Sequence, residues 1–238
     1  MENSFLQTYV SVDCVVFGFD KRQLNVLLVQ RNTLSSNETG LKLPGSLIYQ
    51  QEDADVGAYR VLNELTGIKK ITLRQFKSFT SPERTSDSDD ITWLETTYHN
   101  KIDRLITIAY LSLGKINRKL NIGPKYTTAL WRPISELPRM PFDHNQIVEE
   151  ALNEIRRWVE TEPMILFELL PVKFTAAELR HLYEALYHRK YDIRNFHKQI
   201  LRMSYVIPLE EKQENVAHRA ARYYKFDRIV YNKQKLKI

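Results

Sequence analysis

The stretch LPGSLIYQQEDADVGAYRVLNELTGI, residues 43–68, has the outline of a phosphate-cleaving active site: a turn, a short loop and a helix that ends in Glu-Leu-Thr-Gly-Ile. That chemistry needs several carboxylates on one helical face, which bind a divalent metal, neutralise a diphosphate and activate a water molecule. Two positions where such a helix needs acids hold Val61 and Leu65 instead. The residues therefore indicate either an enzyme with unusual metal ligands or an enzyme framework that serves another purpose.

The positive charge of the chain is concentrated in its C-terminal third. Residues 163–238 carry 15 Lys and Arg against 8 Asp and Glu, a balance of +7, whereas residues 1–162 carry 20 against 21. A basic segment beside a neutral one favours a polyanion as partner, either nucleic acid or an acidic membrane surface. A basic face that only meets water is the alternative.

Two short helices joined by a tight turn are predicted in this basic third. Thr175 and Glu178 form a capping-box pattern at the start of the first helix, which should end near His188. Asp192 is the expected N-cap of the second helix. The apolar stripe of that second helix consists of Ile193, Phe196, Ile200 and Met203.

The other side of the second helix carries cations and amides, as does a recognition helix that enters the major groove of DNA. Arg and Asn also have the bidentate geometry that guanine and adenine edges require. The strand-like runs YVIPLEE and ARYYKF predict the hairpin wing of a winged helix. The expected DNA contacts are Lys190, Arg194, Asn195, His197, Lys198, Arg202, His218, Arg219 and Arg222. A membrane surface is disfavoured, because the helix has no broad apolar face beyond its packing stripe.

Strand and helix patterns alternate in the rest of the chain. Runs of β-branched and apolar residues predict strands at 10–19, 24–30, 71–79 and 105–113. Between them, helical spacing relates the four residues Ala58, Val61, Leu62 and Leu65. A further helix is expected from about Asn145 to Glu160, with Asp143 and Gln146 as its capping box.

Residues 80–100 are rich in Ser, Thr and Asp, and they are expected to form a long exposed loop. Its acids Asp87, Asp89 and Asp90 have the oxygen ligands that Mg²⁺ or Ca²⁺ prefers. They lack the glycine and distal glutamate of a calcium loop, so solvated acids are the favoured interpretation.

Composition limits the remaining possibilities. No run of about 18 apolar residues is long enough to cross a bilayer, and the single Cys14 cannot form an internal disulfide. Both features favour a soluble protein of a reducing cytoplasm. The change in charge after Glu162 predicts two domains, 1–162 and 163–238.

Residues 43–68 resemble a Nudix box, in which a glycine and a glutamate precede the pattern Arg-Glu-apolar-x-Glu-Glu-x-Gly-apolar. Gly67 and Ile68 match the final pair, Glu64 the first of the paired glutamates and Arg60 the arginine, while Glu52 takes the early glutamate. Ser46 stands where the first glycine belongs, with Gly45 one place before it. The chain departs from the pattern at Val61 and Leu65, which replace metal-binding glutamates.

LWRPISELP and FDH, within residues 130–144, resemble the end of the Nudix sheet and its last helix in the Nudix-related transcriptional regulators. FELLPVKFTAAELRHLYEALY, RNFHKQI and RAARYYKF resemble the winged helix of those proteins. The chain is more similar to the arabinose-repressor branch (AraR type) than to the branch that regulates NAD metabolism (NrtR type). The resemblance implies an α/β (α+β) fold: a Nudix-like α/β/α sandwich with a mixed sheet, followed by a C-terminal winged helix-turn-helix domain.

The resemblance also implies a bacterial, cytoplasmic, homodimeric repressor that binds double-stranded operator DNA and needs neither a catalytic metal nor a cofactor. Its Nudix domain would bind a small effector, either a pentose sugar or an ADP-ribose-like nucleotide. Loss of the metal-binding acids favours the sugar. The expected effector contacts are Tyr49, Glu52 and Arg60. The alternative is a Nudix hydrolase that acts on ADP-ribose or another nucleoside diphosphate derivative through other acids, such as Glu52, Glu64 and one from residues 80–100.

Overall fold

A computed structural model of the chain describes residues 8–31, 40–116, 129–214 and 220–236. The described part divides into two compact units, and the division between Asn153 and Glu154 falls within the helix His144–Thr161. The domain boundary after residue 162 stays a prediction. No described helix is long and apolar enough to cross a membrane.

The N-terminal unit is built on a mixed sheet, to which seven strands contribute within the described residues. They are β1 (Thr8–Phe19), β2 (Leu24–Gln30), β3 (Leu41–Lys42), β4 (Gly45–Leu47), β5 (Arg74–Phe79), β6 (Arg104–Leu113) and β7 (Ala129–Pro133). The main order is β3-β2-β1-β6-β5, with β4 paired to β1 and β7 to β2. β1 and β6 are parallel, whereas β5 and β6 are antiparallel. The mixed sheet is thus confirmed.

Helix α1 (Ala54–Thr66) packs on this sheet through the stripe predicted from its spacing. The carboxylate of Asp53 caps its first turn, and Gly67 ends it in the left-handed conformation with φ of 74°. Val61 is fully buried with Ala58 and Leu62 against the strands, and Leu65 packs at the edge of the same cluster. The apolar residues at the two departures from the Nudix pattern therefore belong to the core.

The prediction of an exposed loop at residues 80–100 is wrong. A 3₁₀ turn covers Pro82–Thr85 and helix α2 covers Ser88–Tyr98. Asp87 caps α2 by accepting from the backbone N–H of Asp89, and Leu94 is buried with Ile102 and Leu105. Asp90 is not a solvated acid, because it is buried and paired with Arg31. The polar composition of this segment did not predict a helix, because its stability comes from the capping residue and from tertiary packing.

Helix α3 (His144–Thr161) matches the helix expected near residues 145–160. The side chain of Asp143, predicted to form a capping box with Gln146, binds Arg84 instead. The Asp143 carboxylate accepts from the guanidinium of Arg84, at 2.7 Å to Nη2 and 3.1 Å to Nε. A charged guanidinium with two parallel donors binds a carboxylate more strongly than a backbone N–H does.

The C-terminal unit has the elements of a winged helix. They are a 3₁₀ turn (Pro163–Glu168), β8 (Phe174–Thr175), α4 (Ala176–Tyr187), α5 (Ile193–Arg202), β9 (Val206–Lys212), β10 (Arg222–Phe226) and α6 (Arg228–Lys235). The strands form a sheet in the order β8-β10-β9. Both predicted N-termini are confirmed: Thr175 and Glu178 form a reciprocal capping box, and Asp192 accepts from the backbone N–H of Asn195 at 2.9 Å.

Candidate DNA-binding face and effector site

Helix α5 has one buried side and one exposed side. Phe196 and Ile200 are buried, as predicted, whereas Ile193 is 69% exposed and does not belong to the packed stripe. Ile193 is the first residue of the helix. Five of the predicted DNA contacts lie on α5, and all five are exposed: Arg194, Asn195, His197, Lys198 and Arg202.

A groove of about 500 Å³ lies between α5 and the wing strands. His197 from α5 and Arg222 from β10 both line it, so two of the predicted DNA contacts from distant parts of the sequence come together. Lys212 of β9 lines the same groove and was not predicted. Its position at the end of a strand-like run was the available signal. His218 and Arg219 lie outside the described residues.

The turn between α4 and α5 is held by a buried glutamate that sequence reasoning missed. One oxygen of Glu184 accepts from the backbone N–H of Tyr191 at 3.0 Å and from Arg180 at 2.6 Å. The other lies 3.6 Å from Nζ of Lys190, a predicted DNA contact. These donors lower the pKa of Glu184 although burial alone would raise it. The position of Glu184 among the apolar residues of α4 gave no sign of this role.

The expected effector contacts form one cluster, in which Tyr49 and Glu52 precede α1 and Arg60 lies in the middle of that helix. The guanidinium of Arg60 donates to both oxygens of Glu52, at 2.5 and 2.8 Å, and lies 3.9 Å from the ring centroid of Tyr49. It also donates to Glu64 and to the carbonyl of Leu47. The bonds with Arg60 lower the pKa of Glu52. The guanidinium of Arg60 is thus bonded within this cluster and to the neighbouring carbonyl, and the role of the cluster in binding an effector stays a prediction.

The residues at the Nudix box do not fit the metal centre that the Nudix pattern implies. Val61 and Leu65 supply no oxygen ligand, and the carboxylates of Glu52 and Glu64 each form an ion pair with Arg60. Throughout the described parts of the chain, no group of three or more His, Cys, Asp or Glu is placed to hold a metal ion.

A buried polar network of Asp13, Lys42 and His144 lies where β1 pairs with the start of β4. Lys42 donates to the carbonyls of Leu43 and Gly45, at 3.1 and 2.7 Å, and His144 accepts the backbone N–H of Leu43 at 3.1 Å. The imidazole Nε2 is 3.6 Å from the Asp13 carboxylate. Burial raises the pKa of Asp13, lowers that of Lys42 to about 8 and lowers that of His144 well below 6.5.

Position 45 of this network requires glycine. A Cβ there would lie 1.7 Å from the Asp13 carboxylate oxygen, far inside the contact distance. The close approach of β4 to Asp13 therefore depends on the missing side chain.

A cavity of about 620 Å³ opens beside this network. Its walls come from the 3₁₀ turn at Pro82, from α2, from Arg31 and from the start of α3. Arg31 pairs with Asp90 at 2.7 Å and Arg84 with Asp143 at 2.7 Å, so the two buried guanidiniums of the wall each have a carboxylate partner. Trp93 adds an aromatic surface. Sequence reasoning missed this site because residues 80–100 were interpreted as a loop.

A Nudix-type sheet followed by a winged helix defines a class of two-part regulators, and comparison with known proteins supports this. The NUDIX domain family matches residues 7–152, and the NrtR DNA-binding winged helix domain matches residues 166–226. The chain belongs to the Nudix domain family and carries a winged helix of the NrtR type. It is a DNA-binding transcriptional regulator with a Nudix domain.

The matches to two relatives cover nearly the whole chain, and a third match covers the Nudix domain. The ADPR responsive transcriptional repressor NtrR of Acinetobacter baylyi is 23% identical, over 94% of this chain and 88% of its own. NrtR of Shewanella oneidensis, solved with a 27mer DNA, is 22% identical with a TM-score of 0.64, covering 92% of this chain and 93% of that one. The NUDIX domain of the same Shewanella protein, solved with ADP ribose, is 24% identical with a TM-score of 0.50, over 63% and 90%. The two solved structures confirm the fold.

Proposed function

We propose that this protein is a homodimeric repressor whose operator binding is controlled by a small molecule held in its Nudix domain. The observation that carries the DNA-binding half is the exposed side of α5, where Arg194, Asn195 and Lys198 face solvent while Phe196 and Ile200 pack. Cations and amides on one helix face combine attraction to phosphates with bidentate contact to bases.

Within this face, distinct roles follow from position along the helix. Arg194 and Asn195 lie in the first turn of α5, where recognition helices contact base edges. Lys198 and Arg202 lie further along and suit phosphates, as do Lys190, His197 and Arg222 around the turn and the wing. In a two-fold dimer, two such helices would contact half-sites about one helical turn apart, or a multiple of that distance.

The effector that we propose first is ADP-ribose or a related nucleotide, supported by the names of the relatives in Acinetobacter and Shewanella. A cavity of about 620 Å³ lies in the size range of drug-sized ligands and exceeds what a single sugar ring fills. A free pentose of the arabinose-repressor type is the second candidate. The surplus of carboxylates over guanidiniums in the cavity wall favours it.

We further infer that the Nudix box is degenerate and that the effector is bound without being hydrolysed. This inference rests on the apolar side chains of Val61, which is buried, and Leu65, which is partly buried, and on the ion pairs that Arg60 forms with Glu52 and Glu64. Incubation with ADP-ribose and Mg²⁺ should release no AMP or ribose phosphate. Turnover that Glu64→Gln abolishes would instead establish the hydrolase alternative.

The DNA-binding half is tested by two substitutions on the same face of α5. Arg194→Ala should cost about 1–3 kcal/mol on the operator and relax specificity at one base position. Lys198→Ala is the matched control, because loss of a phosphate contact should weaken all sequences alike and reduce the salt slope by about one. Fluorescence anisotropy with operator and random duplexes measures both. Equal losses of Arg194→Ala on the two duplexes would reject its role in base recognition.

A further inference from the structure

The first turn of α5 presents an apolar side chain to solvent. Ile193 is 69% exposed, whereas Phe196 and Ile200, which were predicted to share its stripe, are 2% and 1% exposed. Ile193 therefore contributes little of the burial that stabilises a fold, and isoleucine forms helices less readily than alanine does. Single exposed apolar residues are common on protein surfaces, so the surroundings of Ile193 decide what its exposure means.

Predicted DNA contacts surround Ile193 on α5. Arg194 and Asn195 follow it in the first turn, and His197 lies on the same side of the helix because it is four residues further on. All three are exposed. His197 also lines the groove that α5 forms with the wing, together with Arg222 of β10. A duplex that binds these polar side chains would cover Ile193 as well.

The position of Ile193 is fixed before any partner binds, because both residues that precede it are held. The backbone N–H of Tyr191 donates to Glu184 at 3.0 Å. The carboxylate of Asp192 accepts from the backbone N–H of Asn195 at 2.9 Å. The side chain of Ile193 is itself β-branched, which leaves one strongly preferred χ1 rotamer in a helix. Little conformational entropy is therefore lost when a partner covers this apolar surface.

The chemistry of the major groove indicates what this partner is. The N-terminal residues of a recognition helix contact base edges, and most groups on those edges are hydrogen-bond donors or acceptors. The exception is the 5-methyl group of thymine, which an apolar side chain can contact. We propose that Ile193 contacts this methyl group and selects thymine at one base pair of each operator half-site. The proposal rests on the proposed function, in which α5 enters the major groove, and it adds an apolar contact to the polar ones.

Deoxyuridine provides the test, because its base lacks only the 5-methyl group of thymine. An operator is first selected from a pool of random duplexes by repeated binding to the full chain. Each thymine of the selected operator is then replaced by deoxyuridine in turn, at equivalent positions of both half-sites. At one position, the replacement should weaken binding of the parent protein about fourfold for each half-site, the factor expected for one buried methyl group. Fluorescence anisotropy measures the affinities.

Variants test whether Ile193 is the residue that contacts the methyl group. Ile193→Ala should bind the thymine and uracil duplexes equally at that position, because the methyl group has lost its apolar partner. Ile229→Ala is the matched control, since Ile229 is 68% exposed in the first turn of α6, and it should keep the affinity ratio of the parent. Lys198→Ala should weaken binding of both duplexes and keep the ratio as well. Each ratio compares two duplexes on one protein sample, so a smaller folded fraction of a variant does not change it.

The possible outcomes separate this contact from the proposed function. If the parent binds the selected operator but tolerates deoxyuridine at every position, the contact is refuted and sequence-specific DNA binding stands. If Ile193→Ala keeps the ratio of the parent, another side chain contacts the methyl group and the proposal is overturned as well. If no operator can be selected, the repressor function fails and the contact fails with it.

Discussion

The imidazole of His144 is neutral in the folded protein because of where its ring nitrogens lie. Nδ1 accepts the backbone N–H of Leu43 at 3.1 Å, so a proton there would break that bond. Burial, together with the cations Lys42, Arg84 and Arg31, lowers the pKa of His144 well below 6.5. Below pH 6.5 the unfolded chain therefore binds a proton that the folded chain does not, and stability falls as pH falls.

We expect the thermal midpoint to decrease between about pH 7 and pH 5.5, and His144→Gln to remove part of that slope. A Gln side chain carries an amide oxygen that can accept the same N–H without titrating. His197→Gln on the exposed face of α5 is the control and should keep the parent slope. Differential scanning fluorimetry across the pH range gives the comparison. A slope unchanged in His144→Gln would show that this histidine titrates alike in both states.

At the scale of residues, sequence reasoning found the cluster at the Nudix box but not the buried polar network around His144. Glu52 and Arg60 were both predicted to contact the effector, and they form a hydrogen bond with each other. They are only eight residues apart, so the loop and the first turns of α1 bring them together. Asp13, Lys42 and His144 come from β1, β3 and the start of α3. Their meeting depends on strand pairing across the sheet, which no local pattern encodes.

At the scale of elements, α1, α3, α4 and α5 were predicted, whereas α2 and α6 were not. The capping residues Thr175 and Asp192 mark α4 and α5 in the sequence itself. Helix α2 is rich in residues with low helix propensity, such as Ser88, Thr92 and Thr96. Its stability comes from tertiary contacts, including the Asp90 carboxylate that bonds to Arg31 and Phe142. Such contacts become visible only in the fold.

The turn before α5 leads to a prediction at the same scale. Glu184→Ala removes the acceptor of the Tyr191 backbone N–H, which should lower the free energy of unfolding by about 1–3 kcal/mol. Because that turn leads into the N-cap of α5 at Asp192, operator affinity should fall as well. Glu184→Gln retains an oxygen for Tyr191 and should recover most of both losses. Urea unfolding and operator anisotropy measure the two effects. Reduced stability with unchanged operator affinity would limit Glu184 to a structural role.

At the scale of the whole molecule, charge distribution was the most informative sequence feature. The balance of +7 in residues 163–238 placed the polyanion partner in the C-terminal third before any element was known. Charge is a property of composition and survives errors in secondary structure. The effector does not follow in the same way, because the charges of residues 1–162 are nearly balanced, with 20 Lys and Arg against 21 Asp and Glu.

The proposed control of DNA binding by a small molecule has a thermodynamic consequence for the whole chain. If an effector lowers operator affinity by some factor, the operator must lower effector affinity by the same factor, typically between about 5 and 150. We expect the fold-change in effector affinity on adding saturating operator, measured by calorimetry, to equal the fold-change in operator affinity on adding that effector, measured by anisotropy. The effector used is ADP-ribose or a pentose, whichever binds. Lys198→Ala should weaken operator binding yet leave this fold-change the same, because a phosphate contact on α5 adds to operator affinity whether or not the effector is bound. If the bound effector leaves operator affinity unchanged, the Nudix domain binds its ligand without controlling DNA binding.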